Sequence, residues 1–319
     1  MGRPTGILFG DAVNKASVLE ILQLTRDSEG RIRHSLQEHG VNLLGRMFHG
    51  ASPYDIQAAD LAAARLATPL VDLSWTSVDA KSSEVLREEV RIASQAVDLL
   101  LTAFTDSETF GDGHRLSRGF SEVSRVPLVS IADDIFAWQS ALTHLSGFEE
   151  RLGNLAGKQL VVSWGFGSSF VRPTTAHSLV LAGLLSGANV RVAAPAEFSL
   201  MNRVRREASQ LATKEGLAFE EVTGLTSALS DADMVFAANW LRLDDYNHPE
   251  RHAVSARPHR EWQFTRDAIP EKCIFSTEPP LEPALLTEEG MIDDSRNITS
   301  GWLARRVRVL MASILHASR

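Results

Sequence analysis

Apolar residues in this chain fall into two kinds of run. The short kind is apolar almost throughout and rich in Val, Leu and Ile, as in "VNLLGRMF" (41–48), "PLVDLS" (69–74), "VDLLLTA" (97–103) and "PLVSIA" (127–132). A second series of short runs follows, "KQLVVSW" (158–164), "NVRVAAP" (189–195), "AFEEV" (218–222), "DMVFAAN" (233–239) and "KCIFST" (272–277). Strands that do not alternate apolar with polar are those covered on both faces, so these runs predict parallel sheets. The longer kind, at 53–67, 83–96, 114–124, 174–186, 199–215 and 225–230, has the 3.6-residue spacing of amphipathic helices. Alternation of the two predicts an α/β protein with two doubly wound parallel sheets and right-handed crossovers.

The two series lie on either side of "IFAWQSALTHLSGFEERLG", which reads as a helix joining two domains. The expected division is 1–135 together with a final helix at 300–319, and 136–299. That last helix carries an apolar stripe of Trp302, Leu303, Val307, Leu310, Met311 and Ile314, suited to packing back on the first domain. Ligands in such folds collect at the carboxyl ends of strands and between domains.

One strand end poses a question. "FHGASPYDIQAADLAAARLA" (48–67) reads as a strand end, a tight turn and a helix N-terminus, the usual cradle for a phosphate. Its turn holds Ser52, Pro53, Tyr54 and Asp55, with no basic side chain from His49 to Ala64. Other strand ends offer Asp133 and Asp134, which suit either acid–base work or the capping of the helix that follows. Trp138, Gln139 and Glu278 also stand at strand ends or helix starts. "WGFGSSF" (164–170) has Gly-x-Gly after a strand but lacks the third glycine and the later acidic residue of a dinucleotide fingerprint, so no cofactor is expected. His248, His252 and His259 lie in a long polar stretch, "DDYNHPERHAVSARPHREW", which reads as a solvated excursion with no metal spacing.

Composition narrows the class. The chain has 319 residues, 44% hydrophobic and 23% charged, with a formal net charge of −8. No broad basic surface for nucleic acid or membrane is expected, and the clusters "MNRVRREAS" and "WLARRVRVL" read as solvated or interface-paired helix faces. Cys273, the single cysteine, sits in a strand-like run and reads as a buried, inert thiol. No apolar run reaches the roughly 18 residues of a membrane span, and the N-terminus has no signal-peptide pattern, so a cytoplasmic protein is the default expectation.

The order of segments resembles the aspartate/ornithine carbamoyltransferase superfamily over nearly the whole chain. The stretch "VPLVSIADDIFAWQSALTHLSGFEERLGNLAGKQLVVSW", then "AHSLVLAGLLSGANVRVAAPAEF" and "ALSDADMVFAANW", carry the likeness. "WGFGSSFVRPTTAHS", "PHREWQFTRDAIP" and "SGWLARRVRVLMASIL" are most similar to the N-acetylornithine and N-succinylornithine carbamoyltransferase branch. The resemblance implies a homotrimer, a knotted loop in the second domain, an N-terminal domain for carbamoyl phosphate and a C-terminal domain for an amino acid.

Residue by residue, the family's site is largely replaced. Its Ser-Thr-Arg-Thr-Arg turn falls on Ser52-Pro53-Tyr54-Asp55-Ile56, keeping only the serine, and its third-strand arginine falls at Thr102. His-Pro-x-Gln falls on Phe136-Ala137-Trp138-Gln139, and His-Cys-Leu-Pro on Ser276-Thr277-Glu278-Pro279. The loop that reaches a neighbouring subunit falls on "DAKSSEV", with Lys81 and Ser82. The aspartate before a tryptophan becomes Ala238 or Asn239 beside Trp240.

Two functions stay open on these residues. One is an enzyme of amino-acid or specialised metabolism with an altered donor site. Asp55, Glu278 and Lys81 would be its catalytic residues, and Ser52, Tyr54, Trp138, Gln139, Ser276, Trp240 and Trp302 would bind the substrate. The two carboxylates suit a small ligand with an amine or guanidino group. The other is a noncatalytic homologue that binds a ligand or assembles with an active relative.

Overall fold

In the computed structural model, residues 13–74, 82–106, 109–279, 285–288 and 290–319 are described. The chain divides into two compact units: residues 1–140 with 303–319, and residues 141–302.

The first unit opens with two helices that the pattern reading leaves unassigned, α1 (Lys15–Leu24) and α2 (Glu29–Glu38). Asn14 and Ser28 cap them through side-chain oxygens on Ser17 N–H and Arg31 N–H. There follow β1 (Leu44–His49), α3 (Pro53–Leu66), β2 (Leu70–Asp72), α4 (Ser83–Ala93), β3 (Leu99–Phe104), α5 (Asp112–Val123) and β4 (Leu128–Asp133). The strands pair in parallel in the order β2-β1-β3-β4. All six residues of β3 and of β4 are buried, as runs without alternation require. Met47, Leu86, Leu100, Phe104, Phe120 and Leu128 form the core between this sheet and α4 and α5.

Helix α6 (Trp138–Leu152) leads into the second unit. There β5 (Gln159–Trp164), α7 (Thr174–Leu185), β6 (Asn189–Ala193), α8 (Asn202–Glu215), β7 (Phe219–Val222), α9 (Leu225–Leu229) and β8 (Met234–Ala238) alternate. Short helical turns and α10 (His252–Ala256) precede β9 (Ile274–Thr277). The five strands are again parallel, ordered β7-β6-β5-β8-β9. Helix α11 (Trp302–Ser318) closes the chain, and from Leu303 it belongs to the first unit. The strand order reverses between β1 and β3 in one sheet and between β5 and β8 in the other, and crevices for ligands open at such points.

Three expectations are refined. The stretch 244–262 is exposed over most of its length, as a surface excursion should be, but it is anchored to the fold. Asp245, His252 and Trp262 are buried there, because Arg242 pairs with Asp245 at 2.7 Å and His252 hydrogen-bonds Asn239 at 2.9 Å. Of the two readings of the basic face of α11, Arg306 takes the paired one, since it is buried against Asp55. Asp134 caps a helix, but it is α5 rather than the helix that follows. Its carboxylate accepts from Gly111 N–H at 2.7 Å, Gly113 N–H at 3.1 Å and His114 N–H at 2.8 Å.

Candidate functional site

In the first unit the turn after β1 delivers the N-terminus of α3 to the point where the strand order reverses. Gly50 there has φ of 75°, and a Cβ on it would meet Asp106 Cβ at 2.4 Å, so the turn needs glycine. Ser52 caps α3 in a reciprocal box: its hydroxyl oxygen accepts Asp55 N–H at 3.2 Å, while the Asp55 carboxylate accepts Ser52 N–H at 3.2 Å and Ser52 O–H at 2.8 Å. The same buried carboxylate accepts a hydrogen bond from the guanidinium of Arg306, on α11. The helix N-terminus therefore already faces an anion, and that anion has its own counter-charge. Tyr54 is half-buried beside them.

Two further positions in this unit are enclosed. Trp138 is buried and stacks on Phe136 with ring centroids 6.0 Å apart. Gln139 is buried and donates to Ser313 Oγ at 2.9 Å. Lys81 lies outside the described residues.

In the second unit, β9 ends in a run of polar residues. Ser276 Oγ lies 2.8 Å from His144 Nδ1, and Thr299 Oγ1 accepts Thr277 N–H at 2.9 Å. The Trp302 indole N–H donates to His144 Nε2 at 3.3 Å. An indole can only donate, so Nε2 must hold a lone pair, the proton sits on Nδ1, and Nδ1–H donates to Ser276. His144 is thus a neutral relay, packed edge-on against Phe236 at 4.7 Å. Glu278 Oε2 lies 3.7 Å from His144 Nε2, and its side chain is 18% exposed, where His144 shows no exposure at all. It is the solvent-reaching member of the cluster. Sequence reasoning missed His144, Thr299 and Arg306; each is a polar residue set within the apolar face of a helix or beside it, which is the signal that marks them.

Trp240 serves the interior. It is 1% exposed and its indole N–H donates to Phe198 O at 2.8 Å. Asn239 donates to Gly167 O at 3.0 Å and Ser169 O at 2.7 Å, pinning the glycine loop after β5, and its carbonyl accepts from His252 Nε2–H. Burial holds the His252 imidazole below its usual pKa. Burial also pushes the Cys273 thiol up to about 12, consistent with an inert residue. Among the described residues no three His, Cys, Asp or Glu groups cluster as metal ligands. No described helix is long and apolar enough to cross a membrane.

Known proteins are similar to this chain in sequence and in fold. Residues 171–275 match the family described as aspartate/ornithine carbamoyltransferase, Asp/Orn binding domain, a match that ends just before Ser276. The ornithine carbamoyltransferase of Synechocystis is 26% identical over 200 residues, which cover 61% of this chain and 58% of that protein. The anabolic ornithine carbamoyltransferase of Pyrococcus furiosus is 24% identical over 71% of this chain and 67% of its own length. The first of these matches thus spans under two thirds of its relative. Among solved structures, a variant of N-acetyl-L-ornithine transcarbamylase complexed with carbamyl phosphate and N-succinyl-L-norvaline superposes with a TM-score of 0.78 at 17% identity, covering 94% of this chain and 96% of that one. The Pyrococcus furiosus ornithine carbamoyltransferase gives 0.76 at 19% identity over 97% and 95%. Residues 171–275 are thus similar in sequence to the Asp/Orn binding domain of the aspartate/ornithine carbamoyltransferases, and nearly the whole chain shares the fold of these solved structures.

Proposed function

We propose that this protein is a transferase-like enzyme of amino-acid or specialised metabolism that acts on an amine-bearing small molecule and does not take carbamoyl phosphate as its donor. The observation that carries this reading is the Asp55–Arg306 pair at the N-terminus of α3. A phosphate there would meet a carboxylate, and the Arg306 guanidinium is already committed to that carboxylate. A charge-assisted hydrogen bond contributes roughly 1.5–3 kcal/mol, so three lost contacts correspond to three or more decades of affinity. The relatives are named for ornithine or acetylornithine, both amine-bearing amino acids, and the exposed edge of Glu278 suits an ammonium group.

Calorimetry with carbamoyl phosphate and, separately, with ornithine and N-acetylornithine tests the reading. No heat from carbamoyl phosphate at millimolar concentration is expected, and micromolar binding of it overturns the proposal. A homotrimer is part of the same proposal, and light scattering that finds a stable monomer at micromolar concentration counts against it.

A noncatalytic homologue is the second reading. It is favoured by the burial of Asp55 and Ser276, each held by partners in its own unit. Turnover of any amine substrate by the purified protein, lost in Glu278→Gln, decides for the enzyme.

A further inference from the structure

The carboxyl ends of β3 and β4 hold a second polar cluster, of which the family motifs touch only Thr102, at the place of their third-strand arginine. Asp133, the last residue of β4, accepts Ile135 N–H at 2.8 Å and Phe136 N–H at 2.7 Å on one oxygen. Its other oxygen lies 2.9 Å from Nδ1 of His114, in the first turn of α5. Both side chains are buried, at 4% and 2% exposure. The carboxylate can only accept, so Nδ1 carries a proton, and in the neutral imidazole Nε2 then presents a lone pair. That Nε2 is buried and has no hydrogen-bond partner among the described residues. Two hydroxyls share its condition. Thr102 Oγ1 on β3 and Ser117 Oγ, one turn along α5 from His114, are also buried without a partner. Thr102 lies in the strand row of Leu100 and Phe104, which share one hydrophobic core with Leu116 and Phe120 of α5.

Buried polar atoms in folded proteins are nearly always paired, and an exception calls for a missing partner. Every atom left open here can accept. Behind His114 stands the Asp133 carboxyl group, and the adjacent Asp134 carboxylate is turned onto the N-terminus of α5, where it occupies the place an anion would take. An anionic partner is disfavoured, and a group rich in N–H is matched.

We propose that the Asp133–His114 pair is a recognition site for an amine N–H, with His114 Nε2 as the acceptor. The proposal rests on the reading that the first unit does not hold carbamoyl phosphate, and it names the group that unit takes instead. Asp133 fixes the tautomer and strengthens the acceptor, and the two N–H bonds from the following turn hold Asp133 in place.

The wild-type chain, labelled with 15N at histidine, tests this by NMR without any variant. The Nε2 resonance of His114, assigned by its loss in His114→Asn, should lie in the range of an unprotonated imidazole nitrogen. Methylammonium chloride at millimolar concentration should shift it upfield in a saturable manner. Tetramethylammonium, a cation without N–H, and sodium sulfate should leave it in place. A resonance unmoved by methylammonium, as an internal water on Nε2 would give, overturns the proposal, and so does an equal shift by all three salts. A functional loss of the pair by Asp133→Asn should abolish the methylammonium shift while His114 remains observable. If carbamoyl phosphate binds in calorimetry, the underlying reading fails. If it does not bind and the resonance stays fixed, only the amine site fails.

Discussion

The N-terminus of α3 and the end of β9 stand at matching places in their own sheets, just past the carboxyl ends of parallel strands, yet they satisfy their polar groups in opposite ways. At α3 the chain uses full charges: the Asp55 carboxylate faces the helix dipole, and the Arg306 guanidinium neutralises it. At β9 it uses a neutral relay, Trp302 to His144 to Ser276, and leaves the single carboxylate, Glu278, at the edge. A charge pair that closes on itself cancels the field an ionic ligand would feel. A neutral relay adds no full charge of its own to oppose one. Under the proposed function, discrimination of a ligand by charge falls to the end of β9 rather than to the α3 turn.

Breaking the charged region should give the largest effect. Arg306→Ala leaves a buried carboxylate without its partner and should destabilise the protein by about 3–5 kcal/mol in urea unfolding. The double variant Asp55→Ala with Arg306→Met should recover most of that loss, and a double variant as unstable as Arg306→Ala would show that the pair is not what holds this region. Asp55→Ala alone tests the same comparison from the other side. It removes the internal anion while keeping the guanidinium, so sulfate at 100 times its dissociation constant should stabilise the variant by about 2.7 kcal/mol and leave the wild type unchanged. A wild type that responds equally to sulfate would mean that the cradle was never filled.

How far the sequence reveals this depends on the range of each interaction. Both sheets and most helices are legible because parallel strands must be apolar through their length, and β3, β4, β5 and β8 obey that rule. Helix α2 escapes because it buries only Ile32 and Leu36, too few to set a period, although its Ser28 cap is visible. The cap role of Asp55 is local, three residues from Ser52, and so is readable. Its pairing with Arg306 spans 251 positions, and no spacing rule connects them. Asp134 shows the same limit: an aspartate after a strand reads as a cap, but its helix lies about twenty residues upstream in the chain, across the sheet edge. His114 carries no motif at all, and only burial makes its open nitrogen conspicuous.

The second unit does use charge, but away from its relay, and this can be measured by pH. Arg296 grips Asp294 through its side chain at 2.9 Å and its backbone N–H at 2.9 Å, bracing the segment that carries Thr299 to β9. The side-chain hydrogen bonds from Arg296 hold the Asp294 carboxyl at about 2, below the ordinary 3.8. A depressed carboxyl stabilises the fold above its unfolded value, and that contribution disappears as pH falls through the folded one. Wild type should therefore exceed Asp294→Asn by about 2 kcal/mol at pH 7, and the gap should close as pH falls from about 4 toward 2. A gap that is constant down to pH 2 would assign the effect to packing instead.

The relay itself should give the smallest effects and the sharpest test of its character. Ser276→Ala removes the acceptor of His144 Nδ1–H, and Trp302→Phe removes the donor to Nε2 while keeping an aromatic ring of similar shape. Each should cost about 1 kcal/mol, the worth of one intramolecular hydrogen bond, with some excess from the buried atom left behind. The informative quantity is their coupling. The Trp302 N–H forces the tautomer that makes Nδ1 a donor, so the Ser276 bond is at full strength only while Trp302 is present. Once Trp302 is replaced, the imidazole is free to turn its other nitrogen's proton elsewhere, and Ser276→Ala should then cost less. A double-mutant cycle should show an interaction of 0.5 kcal/mol or more, beyond the roughly 0.3–0.5 kcal/mol within which independent sites add. Strict additivity would mean that the two bonds merely share a ring, and that β9 holds separate contacts where the comparison with α3 requires a connected neutral network.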